Sequence, residues 1–158
     1  MAESAQSHSE AFTQWVTFRL DGETYGVNVM DVKEVLRFTE IAPVPGAPDY
    51  VLGIINLRGN VASVLDTRRR FGLQSEETTD ATLIIIIESP EQTIGIMVDA
   101  VAEVLDVEAH EIDTAPTVGN DEAARYICGV VSRNDELVIL VELQRLLSES
   151  EMTQGFGF

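Results

Sequence analysis

The chain has 158 residues, 45% hydrophobic and 23% charged, the balance of a packed globular protein with material for one ordinary domain or two very small barrels sharing a core. Its formal net charge of -17 repels polyphosphates and anionic headgroups, which argues against nucleic acid and direct membrane contact as partners. Cys128 is the only cysteine, so no intramolecular disulfide forms, and its neighbours Ile127, Gly129 and Val130 predict a buried thiol in a reducing compartment.

Residues 1–12 are small and polar, with Ser4, Ser7 and Ser9, and read as a flexible tail with no signal-peptide pattern. Val16, Phe18 and Leu20 then alternate with Thr17 and Arg19, Asp21-Gly22 supplies a turn, and Tyr25, Val27 and Val29 resume the alternation. That pattern predicts a hairpin. Val29, Val32, Val35 and Leu36 recur at spacings of three and four, which predicts a short helical turn, with an irregular strand as the competing reading. Pro43, Pro45, Gly46 and Pro48 impose a rigid connector. Residues 50–57 and 61–65 read as a second hairpin around Arg58-Gly59-Asn60, with positive φ expected at Gly59 and Asn60 and Arg58 at the tip. Asp66 or Thr67 caps a brief helix through Phe71, Gly72 ends it, and residues 74–80 connect.

The second half follows the same plan. Strands are expected at residues 82–88 and 93–98 around a turn at Ser89-Pro90, then an irregular segment to Thr117, then hairpin strands at residues 127–131 and 137–141. The apolar run at residues 83–87 is far shorter than the roughly 20 residues a bilayer span requires. Leu143, Leu146 and Leu147 make a terminal helical stripe, and residues 151–158 read as a second flexible tail.

The likeness between halves is specific to the residue. At an offset of 69, Gly26 matches Gly95, Val29 matches Val98, Val32 matches Val101, Glu34 matches Glu103, Val35 matches Val104 and Leu36 matches Leu105. At an offset of 76, Gly53 matches Gly129, Val61 matches Leu137, Val64 matches Leu140 and Asp66 matches Glu142, while Arg58 stands where the second copy has Asn134. Two copies, at about residues 15–72 and 81–147, predict two similar β-rich units with a groove between them. The repeat does not determine whether strands exchange between the units.

Catalytic chemistry is poorly supported. His110 stands among Asp106, Glu108, Glu111 and Asp113 with no paired-histidine spacing, so a solvated acidic loop is the better reading than a metal site. Ser63, Ser132 and Cys128 lie in no nucleophile motif, and Lys33, the only lysine, belongs to no phosphate loop. Arg68, Arg69 and Arg70 are expected to pair with carboxylates or face solvent. Arg58 is either a solvated loop tip or a guanidinium forked onto a partner's carboxylate, and Glu34 has the same two readings. On pattern alone Val35, Leu36, Val44 and Ile54 belong to the core.

Four segments narrow these readings: Tyr25-Gly26-Val27-Asn28-Val29, Glu34-Val35-Leu36-Arg37, Ile41-Ala42-Pro43-Val44-Pro45, and Gly53-Ile54-Ile55-Asn56-Leu57-Arg58-Gly59-Asn60-Val61. Together they resemble the CheW family of bacterial chemotaxis coupling proteins over about residues 13–150, the Asn-Leu-Arg-Gly block being the most specific part. The resemblance implies a mainly β fold of two packed five-stranded Src-homology-type barrels with short helices, one near the C-terminus. It also implies a cytoplasmic adaptor, without enzymatic activity or cofactor, that bridges the tips of methyl-accepting chemoreceptors to the histidine kinase CheA, whose regulatory domain has the same fold. By the same resemblance Arg58 belongs to a receptor-facing groove or its supporting hairpin, and Glu34 is a kinase or receptor contact. Gly59 would shape the hairpin, and Val32 and Val35 would line an interface. Two competing readings are a small enzyme using Ser63 or His110 in an inter-barrel cleft, and the adaptor part of a CheW-receiver hybrid, for which 158 residues leave no room.

Overall fold

Turn chemistry and alternation build the first hairpin: β1 (Phe12–Leu20) and β2 (Glu23–Asn28) pair antiparallel about Asp21 and Gly22, both at positive φ. The computed structural model describes residues 12–74, 77–88, 92–113 and 126–142. A 3-10 turn at Val29–Asp31 is capped by the Asn28 side chain, and β3 (Val32–Arg37) follows. The helical expectation therefore holds for one turn, and the competing strand takes the rest.

β4 (Val51–Leu57) and β5 (Asn60–Asp66) form the second hairpin. Its positive φ values fall on Arg58 and Gly59; the expectation for Asn60 was wrong, because Asn60 is already the first residue of β5 and pairs with Leu57. Asp66 caps α1 (Thr67–Arg70), its carboxylate accepting from the Arg69 amide, and Gly72 follows at positive φ. β6 (Leu83–Glu88) and β7 (Thr93–Val98) come next. The expected irregular segment after them is instead the strand β8 (Ala100–Glu108) and a 3-10 turn, Ala109–Glu111. β9 (Ile127–Arg133) and β10 (Glu136–Val141) complete the described strands. The predicted turn at Ser89-Pro90, the stripe at Leu143, Leu146 and Leu147, and both terminal tails lie outside the described residues, except that Phe12, placed in the N-terminal tail, is instead the first residue of β1 and pairs with Glu108.

The strands form two five-stranded sheets, ordered β8-β1-β2-β10-β9 and β3-β6-β7-β5-β4. Neither sheet is drawn from one half of the chain. The first hairpin, β1-β2, joins the last three strands, and the hairpin β6-β7 joins β3, β4 and β5. Replacing each strand by its repeat equivalent turns one order into the other. The exchanged hairpins are held by parallel pairing, Thr24 to Val27 against Val138 to Val141 and Ser63 to Asp66 against Ile94 to Met97.

Each sheet curls until its ends meet. Beyond β3, Ala42 pairs with Ile54 of β4, the two amides donating to the opposite carbonyls at 2.9 and 2.8 Å. Beyond β8, Asp113 pairs with Val130 of β9 in the same way, at 2.9 and 3.0 Å. These closures explain the matched glycines, since a Cβ on Gly53 would lie 2.1 Å from the Ala42 carbonyl oxygen, and one on Gly129 2.6 Å from Ile112 Cγ2.

The main core lies between the sheets. Val16, Phe18 and Leu20 meet Ile85, Ile87, Ile94 and Ile96 there, and rings Phe18, Tyr25, Phe71 and Tyr126 follow one another at centroid spacings of 5.8, 5.6 and 5.7 Å. Two smaller clusters fill the barrels, one around Trp15, Val131 and Leu140, the other around Ile55, Val64, Ile84 and Ile86. β6 is apolar at consecutive positions because both its faces are buried, Ile85 and Ile87 in the shared core and Ile84 and Ile86 in a barrel. No described helix is long and apolar enough to cross a membrane.

Candidate functional site

β3 carries three of the five candidate residues, and a bulge decides where they point. Val32 pairs opposite Ile87, Glu34 opposite Ile86 and Val35 opposite Ile85, with the register shift between Val32 and Glu34. A bulge inserts one residue and shifts a two-residue period by one, so Val32 and Val35 fall on the same face. That face is the inter-sheet one, to which Ile85 and Ile87 belong. Val32 packs partly against this core, whereas Val35 is 39% exposed at its edge.

Glu34 takes the other face, toward the mouth of the barrel that holds Ile84 and Ile86. The β4-β5 turn hangs over this mouth. Arg58 at φ 52 and Gly59 at φ 92 give the left-handed pair that a two-residue hairpin requires, and the Gly59 amide donates to Asn56 Oδ1 at 2.8 Å. Arg58 Nη2 is thereby brought onto Glu34 Oε2 in an ion pair. The guanidinium side chain stays 66% exposed and the carboxylate side chain 25%, so the pair orients Arg58 more than it stabilises the fold. The structure thus joins Glu34, Arg58 and Gly59 at one barrel mouth and sets Val32 and Val35 at the edge of the inter-sheet core. Met30, in the turn before β3, and Val61, in β5, both exposed and close in sequence to these residues, add apolar surface that the sequence did not single out.

A separate cleft of about 740 Å³ opens among Phe38, Ile41, Leu52, Met97 and Arg69, and none of the five candidates lines it. Ser63 is buried in β5, and His110 is exposed beyond β8 with its Nε2 3.9 Å from Glu108 Oε2. Ser63 belongs to the sheet of β3 to β7, and His110 to the 3-10 turn that follows β8 of the other sheet. No group of three or more metal-ligating side chains occurs among the described residues. Cys128 is exposed, contrary to expectation, because successive residues of β9 face opposite sides and Gly129 takes the buried one.

The arginine cluster divides. Arg68 reaches Asp99 at 2.6 and 2.9 Å, and Arg69 reaches Asp49 at 3.3 Å, as expected of pairing with carboxylates. Arg70 does not face solvent: it is buried, with its guanidinium 4.4 Å from the Tyr50 ring centroid and 5.4 Å from that of Tyr126.

A family model described as the CheW-like domain matches residues 14–151. The chemotaxis protein CheW of Rhizobium meliloti is 32% identical over 96% of this chain and 97% of its own length. That of Treponema pallidum is 34% identical over 88% and 84%. The crystal structure of the scaffolding protein TtCheW from Thermoanaerobacter tengcongensis superimposes with a TM-score of 0.80 at 32% identity, covering 88% of this chain and 94% of that one.

Proposed function

The chain belongs to the CheW-like family and is a chemotaxis adaptor with no enzymatic activity of its own; from that premise we propose that it couples the cytoplasmic tips of methyl-accepting chemoreceptors to the regulatory domain of the histidine kinase CheA and supports assembly of the receptor array. Its place of action is the cytoplasm, at receptor arrays reached through protein contacts. The observation that carries the reading is the Glu34–Arg58 pair at one barrel mouth, with the exposed Val61 on the same hairpin as Arg58. A charged group held in one orientation next to unpartnered apolar surface is the composition of a protein-docking rim and core.

An adaptor with two partners transmits a signal by linkage. A receptor conformational change biases the kinase's active and inactive populations only when the contacts through the adaptor differ between the two states. In this scheme Arg58 and Gly59 present the polar anchor, Glu34 holds it, and Val32 and Val35 border the groove that takes an apolar receptor surface.

Calorimetric titration with a receptor signalling tip and with the kinase regulatory domain tests the proposal, and absence of heat from both would overturn it. Arg58→Ala is expected to weaken binding to one partner about 5- to 30-fold, the range for removing an oriented arginine from an interface. Its unfolding free energy should change by no more than about 1 kcal/mol, because the pair is exposed. Unchanged kinase control in a reconstituted array containing this variant would remove Arg58 from the site.

A further inference from the structure

The two barrel mouths are built on equivalent residues and filled differently. On β8, Val101 and Val104 pair opposite Phe18 and Val16, with a register shift between them, as Val32 and Val35 pair opposite Ile87 and Ile85 on β3. Glu103 therefore occupies the position in its barrel that Glu34 occupies in the other. The overhanging turns match too, with φ of 54 at Asn134 and 52 at Arg58. Glu34 meets Arg58 within the chain. Glu103 has only Asn134 at the corresponding place, and its carboxylate has no hydrogen-bond or ion-pair partner among the described residues, the Thr17 hydroxyl bonding only its backbone.

A cleft of about 190 Å³ opens at this mouth, with Thr17, Glu103, Asn134 and Glu136 on its walls. Two arginines also line it, and neither pairs with Glu103. Arg19 reaches Glu136 at 4.0 Å, Thr24 Oγ1 at 3.3 Å and the Gly22 carbonyl at 3.3 Å. Arg133 reaches Glu111 at 3.1 Å and the Asp106 carbonyl at 2.9 Å. Val104 and Leu137, next in sequence to Glu103 and Glu136, are exposed apolar side chains.

We propose that this cleft receives an arginine side chain from a protein partner, so that the ion pair made within the chain at one barrel is completed between chains at the other. Arginine fits better than a compact ammonium, because a planar fork can donate to the Glu103 carboxylate and to the Asn134 amide oxygen together. The chain's net charge of -17 favours encounter with a basic surface. The inference rests on the adaptor reading and adds to it a second charged anchor, on the opposite barrel from Arg58.

The full chain, titrated calorimetrically with the receptor tip and separately with the kinase regulatory domain, provides the test. Glu103→Gln removes the acceptor charge. Asn134→Arg installs the cation in cis, at a turn position that Arg58 shows to be compatible with arginine. Each variant is expected to weaken binding to one of the two partners by about tenfold or more, to leave the other within about twofold, and to melt no more than a few degrees below the parent. Affinities within twofold for both partners in both variants, or equal losses toward both, would overturn the inference while leaving the adaptor reading intact. If the parent chain binds neither partner, both fall.

Discussion

Replacing Gly53 by alanine is expected to lower the unfolding free energy by about 3–5 kcal/mol, the range of severe backbone and packing lesions, and the melting temperature by about 10 °C or more. Two independent obstacles coincide there. Gly53 has φ of +150, a conformation L residues rarely adopt, and its new Cβ would lie 2.1 Å from the Ala42 carbonyl oxygen and 2.7 Å from its carbon. These are backbone atoms, fixed by the two hydrogen bonds between Ala42 and Ile54 that close the barrel, so no side-chain rotation relieves the clash. Relief requires opening the closure. Gly59→Ala is the control: its φ is +92 but nothing lies within 4 Å of the added carbon, so only the left-handed backbone is penalised, by about 1–2 kcal/mol. Urea unfolding of the two variants measures the difference, and equal losses would show that closure at Ala42 contributes nothing.

How far the sequence discloses this fold depends on whether a feature is encoded locally. Asp21-Gly22 and the alternation on either side specify the first hairpin within a dozen or so residues, and the hairpin forms where expected. β3 and β8 were harder, for one shared reason. A bulge puts Val32 and Val35, three residues apart, on one face of a strand, which imitates a helical spacing; the equivalent bulge and the exposed residues Ala102, Glu103 and Val104 erase the alternation of β8 over its first half. Strand exchange leaves no local trace at all. Because β1-β2 and β6-β7 are near copies, either can satisfy the edge that receives the other, and only the long-range pairing of Thr24 with Val138 and Ser63 with Ile94 decides between them.

The site was legible as residue identities and not as an arrangement. Glu34 and Arg58 are visible as charges on a strand and a turn, but their meeting depends on the bulge that turns Glu34 toward the mouth and on the left-handed Arg58 that points back to it. Offsets of 69 and 76 place Glu103 and Asn134 at the matching positions in the other copy. Repeat arithmetic therefore carried the signal for a second mouth, and only the geometry shows that one carboxylate there is paired and the other is not.

Asp99→Asn is expected to destabilise the protein by about 1–2 kcal/mol at neutral pH and to flatten its loss of stability in acid. Asp99 stands at the passage from β7 in one sheet to β8 in the other. Arg68 Nε and Nη2 donate to its two oxygens at 2.9 and 2.6 Å, the Asp21 amide donates at 2.9 Å, and Arg68 Nη1 lies 3.5 Å from Asp21 Oδ1. One guanidinium thus ties α1 to the junction between sheets and to the β1-β2 turn. Burial alone would raise the Asp99 pKa, but the Arg68 hydrogen bonds, the Asp21 amide and the Arg68 charge together hold it below the usual carboxylate range. A carboxylate lowered on folding stabilises the native state above its unfolded pKa, and that contribution is lost as pH falls through the lower folded value. The lost energy is discounted from that of a fully buried pair because the Asp99 side chain is 35% exposed, although that of Arg68 is only 11% exposed. Glu111 is also lowered, by the Glu108 amide first and by Arg133, so the parent retains some acid sensitivity when Asp99 is removed. Urea unfolding of parent, Asp99→Asn, Arg68→Ala and the double variant between pH 7 and pH 3 isolates the Asp99 share. The two single losses should be strongly non-additive, since either change breaks the same pair. Parallel pH profiles for parent and Asp99→Asn, or additive losses in the double variant, would mean that Arg68 and Asp99 do not act together across the sheet junction.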